Sequence, residues 1–384
     1  MSLARVDARS PLALHIGIKY GKGGEGRVFS ELAKFLPAAG IDVIGVVAGP
    51  DNVSEVTEGR VVNFAPDGAG MRTRLLGVRT TISQLLRDAK PDLVGSHFAL
   101  YTAPALDLLR NIPKVTHFHG PWAAESKQEG ASTSAIFAKS QLEHLVYRRA
   151  DLVIVLSKAF AELAASRYAV RPERIRIVPG SVDVARFSLT ETRQQSRSLL
   201  NLPTDRPLLL SVRRLVQRMG LAQLVEAMKT VSASVPDVLL CIAGEGPLKI
   251  DLERQVKDLD LTRHVHFVGY VEDDQLPHLY RAADINVVPT LALEGFGLVA
   301  AEAMAAGTPS MVTPVGGLPE VVSDLSPNLI FESSSSAHLA QGLIDALLGR
   351  VQLPDSVACE TFVNTNFTSA LMASRTAAVY KELM

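Results

Sequence analysis

The chain has 384 residues, of which 47% are hydrophobic and 21% charged, and its formal net charge is -1 at pH 7. This length predicts two domains, each large enough to bury its own core, and the composition excludes wholesale disorder. The near-zero charge gives no reason to expect nucleic-acid binding. The 2 cysteines exclude a disulfide framework and fit a cytosolic protein, and no cysteine or histidine cluster has zinc spacing. The polar start, residues 1–11, predicts no signal peptide, and no apolar run is long enough to predict a transmembrane helix.

Short β-rich runs alternate with helical patterns in the first half of the chain. Residues 12–18 predict a strand, a glycine-rich loop follows, and apolar residues at helical spacing predict a helix over 25–38. Further strands are predicted at 43–47, 93–96, 115–118, 152–156 and 175–178. Strands separated by helices indicate βαβ units and a mainly parallel sheet.

The same pattern restarts after Phe187. Strands are predicted at 208–212, 238–243, 265–268, 285–288 and 310–312, with helical stretches between them. The fold class is therefore α/β, with two Rossmann-like doubly wound domains, residues 1–186 and 187–365. They are expected to face each other across a cleft where strand carboxyl ends and helix N-termini converge. Residues 366–384 predict a final helix with Leu371, Ala378 and Tyr380 in apolar positions.

The most informative segment is EGFGLVAAEAMAAGTP, residues 294–309, which follows the predicted strand 285–288. Its glycines let backbone N–H groups approach a ligand, and a helix is predicted from Gly297 to Gly307. A helix N-terminus favours a phosphate, and the carboxylates of Glu294 and Glu302 are strong acceptors for sugar hydroxyls. The alternative is a surface glutamate and a solvated helix glutamate.

This segment resembles the E-x7-E element of the retaining "family 4" type glycosyltransferases (glycosyl transferases group 1), which have two Rossmann domains in the GT-B arrangement. The resemblance covers nearly the whole chain. It also rests on IRIVPGSVD (175–183), IAGEGP (242–247), VHFVG (265–269), YRAADI (280–285) and VGGLPE (315–320).

The resemblance implies roles for particular residues. Glu294 should contact hydroxyls of the donor sugar, and Glu302 should hold the ribose hydroxyls. The backbone of Gly295, Phe296, Gly297 and Leu298 should line the sugar and diphosphate. The paired glycines Gly23 and Gly24 should approach the diphosphate. The final helix, 366–384, should pack back on the acceptor-side N-terminal domain, leaving the C-terminal domain to bind the donor.

A cationic segment, SVRRLVQRMGL (211–221), closes the first strand of the second domain. Fixed cations stabilise a departing diphosphate. Family members usually carry an arginine and a lysine here; Arg214 matches the arginine, but Met219 occupies the lysine position. Arg218 is expected to supply the second cation through its longer side chain. The alternative is that Arg213 and Arg218 are solvated and that Arg214 alone acts.

The segment THFHGPW (116–122) follows a strand of the first domain. A histidine at such a position can hydrogen-bond a sugar hydroxyl. His119 matches the family's catalytic histidine, and His117 is expected to be buried. Trp122 either stacks on a sugar or packs, and His97 is a weaker candidate for lining the acceptor site.

These observations predict a retaining hexosyltransferase that moves a hexosyl group from a UDP- or GDP-sugar to a hydroxyl of a carbohydrate or lipid-linked saccharide. The expected role is polysaccharide or glycolipid synthesis in the cytoplasm, without a metal cofactor. Peripheral contact with the inner face of the plasma membrane is an option that rests on Arg72, Arg74 and Arg79. The alternatives are a sugar-nucleotide epimerase and a non-catalytic protein that binds nucleotide sugars.

Overall fold

Parallel strands form two separate sheets in the computed structural model, which describes residues 10–21 and 23–384. One unit runs to Ser181 and includes Ser369–Met384, and the other is Val182–Thr368. The boundaries expected from the sequence, 186/187 and 365/366, lie a few residues from these.

The strands of the first unit are short apolar runs, as parallel strands covered on both faces require. They are β1 Leu12–Ile16, β2 Asp42–Val47, β3 Val61–Asn63, β4 Leu93–Ser96, β5 Lys114–Phe118, β6 Leu152–Val155 and β7 Ile175–Ile177. Their order in the sheet is β3-β2-β1-β4-β5-β6-β7. The three-residue strand β3 was not predicted, because a run of that length has no readable period.

Helices cover both faces of this sheet and bury its apolar side chains in separate clusters. They are α1 Gly23–Phe35, α2 Val53–Val56, α3 Met71–Asp88, α4 Ala99–Thr102, α5 Trp122–Gln128, α6 Thr133–Arg148 and α7 Lys158–Tyr168.

The second unit repeats the plan with a shorter sheet. Its strands are β8 Leu208–Val212, β9 Leu239–Ala243, β10 Val265–Gly269, β11 Ile285–Val288 and β12 Ser310–Val312, in the order β10-β9-β8-β11-β12. Its helices are α8 Val184–Phe187, α9 Arg193–Leu199, α10 Leu221–Ser234, α11 Lys249–Asp258, α12 Leu276–Ala282, α13 Leu298–Ala305, α14 Leu318–Val322, α15 Ser336–Leu347 and α16 Ser356–Asn366.

The last helix, α17 Ser369–Lys381, packs against α1 of the first unit. It buries Met372, Ala377 and Tyr380 in that unit's core. Ala378, which was expected in an apolar position, is exposed, because it lies on the opposite side of the helix from this buried face. No described helix combines the length and hydropathy needed to span a bilayer.

Each sheet has one point where the strand order reverses. In the first sheet β1 lies between β2 and β4, and in the second β8 lies between β9 and β11. In open α/β sheets, ligands bind outside the carboxyl ends of the strands at this switch point. The residues that follow β1, β4, β8 and β11 therefore lie at the switch points, and those that follow β5 lie beside the first one.

Candidate active site

At the switch point of the second unit, a buried arginine holds a glutamate. Arg213 follows β8 and is 8% exposed. Its Nη2 donates to Oε2 of Glu294, at 2.6 Å, and to Oγ1 of Thr290. The idea that Arg213 is solvated is therefore wrong, because the loop after β11 folds over its guanidinium and supplies a carboxylate partner. The ion pair orients the carboxylate of Glu294.

The backbone around Glu294 is also fixed. Leu293 has φ 59°, a left-handed conformation that branched side chains rarely adopt outside functional loops. Nη1 of Arg218 donates to the Leu293 carbonyl oxygen at 3.2 Å. On the other side, the N–H of Gly317 donates to the Glu294 carbonyl oxygen at 2.9 Å. Side chain and backbone together determine where the Glu294 carboxylate lies.

Helix α13 begins directly after this loop. Gly297 precedes it with φ 95°, and a Cβ there would lie 2.4 Å from Cδ2 of Leu318, so the position requires glycine. Gly295 is buried, and the ring of Phe296 packs edge-on against Phe367, with centroids 5.2 Å apart. The Phe296 side chain is turned into the protein, and the N–H groups of the first turn of α13 favour an anion.

Glu302 lies inside α13 and is 5% exposed. Its Oε2 accepts a hydrogen bond from the hydroxyl of Tyr280 at 3.0 Å. Glu302 is therefore not a solvated helix glutamate, and the hydrogen bond from Tyr280 fixes the orientation of its carboxylate. Tyr280, on α12, is a partner that the sequence did not single out.

Two further arginines flank the ion pair. Arg214 follows Arg213 and is exposed, and Arg218 is partly exposed. Met219, at the position where a lysine is usual in the resembled family, is 6% exposed. Its side chain belongs to the apolar core of the second unit, so the cations of this segment are arginines.

In the first unit, the glycine pair begins helix α1. Gly23 has φ 71°, and both Gly23 and Gly24 are exposed. Lys22 before them lies outside the described residues. A Cβ at Gly23 would meet nothing within 4 Å, so the glycine is required by its backbone conformation and not by crowding.

His119 follows β5, the neighbour of β4, and so lies beside the switch point of the first unit. Its Nε2 hydrogen-bonds Nδ1 of His97, which follows β4, at 3.0 Å. Burial lowers the pKa of His119 to about 4, so the ring is neutral at pH 7. His117 is 4% exposed, as expected, and its ring stacks on His97 with centroids 4.3 Å apart. His97 therefore supports His119 rather than forming an independent contact surface.

Trp122 is half-buried and already packed. Nζ of Lys139 lies 4.7 Å from its ring centroid, and the ring of Phe98 meets it at 4.9 Å. These contacts favour the packing role over the stacking of a sugar.

The expected membrane cluster is partly engaged within the unit. Arg79 pairs with Asp107 at 2.6 Å, and Arg74 donates to the Tyr101 hydroxyl at 3.4 Å. Arg72 is exposed.

Within residues 10–21 and 23–384, no group of three or more His, Cys, Asp or Glu side chains is arranged to hold a metal ion.

Known proteins resemble both halves of the chain. The family model of glycosyl transferases group 1 matches residues 192–358, and that of Glycosyltransferase Family 4 matches residues 22–186. Glycogen synthase of Mycobacterium tuberculosis is 29% identical over 335 residues, which are 78% of this chain and 76% of that protein. A GDP-mannose-dependent phosphatidylinositol monomannoside mannosyltransferase of Mycolicibacterium smegmatis is 34% identical over 205 residues, which are 52% of this chain and 53% of that protein.

Solved structures show the fold. Sucrose-phosphate synthase from Thermosynechococcus elongatus superposes with a TM-score of 0.75 at 24% identity, covering 98% of this chain and 99% of that one. HepE from Anabaena in complex with UDP-glucose gives a TM-score of 0.77 at 19% identity, covering 97% and 100%. The fold is GT-B, and the chain is a glycosyltransferase that belongs to the glycosyl transferases group 1 family.

Proposed function

We propose that this glycosyltransferase moves a hexosyl group from a UDP- or GDP-sugar to an acceptor hydroxyl, with retention at the anomeric carbon. The acceptor is a carbohydrate or a lipid-linked saccharide, and the process is polysaccharide or glycolipid synthesis in the cytoplasm. Two similar proteins support the donor class: HepE has been crystallised with UDP-glucose, and the mannosyltransferase is named as GDP-mannose-dependent.

The single observation that carries this proposal is the ion pair between Arg213 and Glu294. It places an ionised carboxylate beside the N-terminus of α13 and among arginines. A carboxylate there accepts hydrogen bonds from sugar hydroxyls, while the helix N-terminus and the cations attract the diphosphate attached to that sugar.

The chemistry requires stabilisation of a leaving group. As the glycosidic bond breaks, negative charge develops on the nucleotide diphosphate. Arg214 and Arg218 neutralise that charge, and the backbone N–H groups at the start of α13 stabilise it further. The protein's own cations therefore meet the requirement without a metal. Glu294 positions the donor sugar, Glu302 holds the ribose hydroxyls in an orientation fixed by Tyr280, and His119 hydrogen-bonds a substrate hydroxyl. Gly23 and Gly24, exposed at the start of α1, offer backbone N–H groups to a phosphate.

The first experiment is calorimetry with UDP, GDP and ADP, followed by the sugars of whichever nucleotide binds. We expect micromolar affinity for one nucleotide, unchanged by EDTA. Arg214→Met should weaken it about 10- to 100-fold, because it removes a charge-assisted hydrogen bond worth about 1.5–3 kcal/mol. Arg254→Met is the matched control, since Arg254 is an exposed arginine of the same unit whose partner is Asp251.

Each contrary outcome has a distinct meaning. Absence of binding to every nucleotide would mean that Met219 marks a degenerate site and that the donor assignment is wrong. Binding accompanied by conversion of the sugar without an acceptor would indicate an epimerase. Equal losses of nucleotide affinity in Arg214→Met and Arg254→Met would mean that Arg214 does not contact the nucleotide.

Peripheral membrane contact is a separate proposal that rests on Arg72, the exposed member of its cluster. Arg72→Glu should lower sedimentation with anionic liposomes if the contact exists. Arg79→Glu is a weaker probe, because it also breaks the pair with Asp107. Equal sedimentation of wild type and Arg72→Glu would end the idea.

A further inference from the structure

Five buried or partly buried side chains form one hydrogen-bonded series in the first unit, here called the histidine chain. Nε2 of His119 meets Nδ1 of His97 at 3.0 Å, and Nε2 of His97 meets Nδ1 of His15 at 3.0 Å. Nε2 of His15 meets the hydroxyl of Tyr380 at 3.1 Å, and that hydroxyl meets Nε2 of His117 at 2.7 Å. The histidine chain thus joins the candidate catalytic histidine to the last helix, α17.

The histidines of this series are neutral at pH 7. Burial lowers the pKa of His15 to about 3 and that of His119 to about 4, and it lowers the pKa values of His97 and His117 well below 6.5. A neutral imidazole has one N–H and one lone pair. If one imidazole of the series donates in a given direction, the next imidazole must donate in the same direction. The three linked imidazoles of His119, His97 and His15 therefore have only two fully hydrogen-bonded arrangements, and each assigns one tautomer to His119.

The bond lengths at Tyr380 distinguish the two arrangements. Hydrogen bonds donated by a hydroxyl are shorter than those donated by an N–H group. The 2.7 Å contact to His117 has the length of an O–H donor, and the 3.1 Å contact to His15 has the length of an N–H donor. These lengths favour the arrangement in which Tyr380 donates to His117 and accepts from Nε2–H of His15.

The rest of the direction follows from this end. In this arrangement His15 carries its proton on Nε2, and its Nδ1 accepts from Nε2–H of His97. Nδ1 of His97 then accepts from Nε2–H of His119. Nδ1 of His119 is left with its lone pair, at the end of the series.

We propose that Tyr380, acting through His15 and His97, is a positioning residue that holds His119 in the Nε2–H tautomer. His119 then presents Nδ1 to the substrate as a hydrogen-bond acceptor for a sugar hydroxyl, not as a donor. That last step rests on the proposed function, whereas the tautomer does not.

The packing shows how α17 reaches into the first sheet. A Cβ at Gly95 of β4 would lie 2.8 Å from the Tyr380 hydroxyl and 3.0 Å from the His15 ring. The absence of a side chain at Gly95 leaves the space in which these two groups meet. Tyr380 is 0% exposed, so its hydroxyl has no water as a competing partner, and an unmade hydrogen bond there would be costly.

The test is nuclear magnetic resonance of protein labelled with ¹⁵N-histidine, without substrate, at pH 7. Long-range correlations between ring protons and ring nitrogens identify which nitrogen carries the proton, and His119→Asn assigns the His119 signals. In wild type we expect His119 to be protonated at Nε2 only. Tyr380→Phe removes the hydroxyl that favours one direction of hydrogen-bond donation along the histidine chain. The Nδ1–H tautomer of His119 should then become populated.

Tyr101→Phe is the matched control, because it removes another buried tyrosine hydroxyl from the same unit and should leave the His119 signals unchanged. A wild-type His119 protonated at Nδ1 would overturn the proposal, as would a Tyr380→Phe spectrum identical to wild type. If Tyr380→Phe does not fold, two other observations test the proposal. The first is the tautomer of His119 in wild type, and the second is His97→Gln, which should leave His119 in a mixture of tautomers.

Kinetics then tests the step that rests on the proposed function. Tyr380→Phe should lower kcat with little change in KM for the donor, while Tyr101→Phe should keep both. A tautomer shift without a change in kcat would contradict the role of Nδ1 and leave the histidine chain intact.

Discussion

The two switch points occupy equivalent places in the two sheets but contain opposite chemistry. In the second unit, the residues after β8 and β11 are charged, and a buried arginine pairs with Glu294 at 2.6 Å. In the first unit, the corresponding region after β4 and β5 contains neutral imidazoles in hydrogen-bonded series. The strand order determines where a ligand can bind, whereas the side chains determine which part of a ligand is bound.

The difference matches the two demands of glycosyl transfer. A diphosphate is an anion, and fixed cations with a helix N-terminus stabilise it. Sugar hydroxyls are neutral, and a neutral hydrogen-bonding group orients them without introducing a charge that would have to be desolvated. Three changes test the comparison. In the second unit, the charge of Glu294 or the arginine that holds it, Arg213, is removed; in the first unit, the histidines are protonated.

The largest effect should come from Glu294→Gln. The change preserves size but removes the charge that we propose accepts from donor-sugar hydroxyls, so kcat should fall by about 10²- to 10³-fold, the loss typical of one preorganised polar contact. Affinity for the nucleotide alone should be retained, because the cations remain. Steady-state kinetics and calorimetry measure both quantities. A kcat close to that of wild type would remove Glu294 from the reaction.

The second effect concerns the arginine behind that glutamate. Arg213→Met should lower the free energy of unfolding by about 2 kcal/mol, less than the 3–5 kcal/mol typical of breaking a buried pair, because the Glu294 side chain remains 16% exposed. Urea denaturation measures the change. It should also lower kcat, since Glu294 loses its orientation.

Arg214→Met provides the control for that prediction, because Arg214 is exposed. It should weaken nucleotide binding and leave the free energy of unfolding nearly unchanged.

A double variant tests whether Arg213 acts through Glu294. When Arg213→Met is added to Glu294→Gln, it should cause little further loss of kcat, since the two residues act as a unit. Fully additive losses would show that Arg213 does not act through Glu294.

Local signals in the sequence were sufficient to predict most of the fold. Buried strands such as LVIV of β6 and the glycines around α13 combine composition and turn chemistry within a few residues. The same applies to the positions of Glu294 and Arg214 after strands and of Glu302 inside α13. Their roles remain proposals.

The partners of those residues could not be predicted in the same way. The sequence leaves open whether Arg213 is solvated. Its pairing with Glu294 joins the ends of two strands that are distant in sequence and adjacent only in the sheet. His15 stands in the apolar strand LALHI, and Tyr380 was placed among apolar positions of the last helix. The hydrogen bond that joins them connects opposite ends of the chain, and no periodicity carries such information.

The smallest effect concerns protonation of the first switch point, and its sign follows from the lowered pKa values. The unfolded chain binds a proton on each histidine near pH 6.5, whereas His15 and His119 in the folded unit bind one only near pH 3 and 4. Acidification from pH 6.5 towards pH 4 therefore favours unfolding, by about 1.4 kcal/mol per pH unit for each such histidine, and above pH 6.5 this dependence ends.

Two glutamates of the same unit oppose this trend. Burial raises the pKa of Glu25 to about 8 and also raises that of Glu143, so both carboxylates bind a proton more readily in the folded state, and acidification stabilises the fold through them. The contribution of the histidine chain must therefore be measured as a difference. Urea denaturation at pH 5 and pH 6.5, followed by fluorescence of Trp122, reports the first unit, because Trp122 is the chain's single tryptophan.

His15→Gln should reduce the loss of stability between these pH values by up to about 2 kcal/mol, which is one histidine's share of that interval. His266→Gln is the control, because it removes a histidine of the other unit and should leave the Trp122 transition unchanged. An identical pH dependence in wild type and His15→Gln would mean that His15 is protonated alike in both states. The first switch point would then not be the neutral counterpart of the charged one.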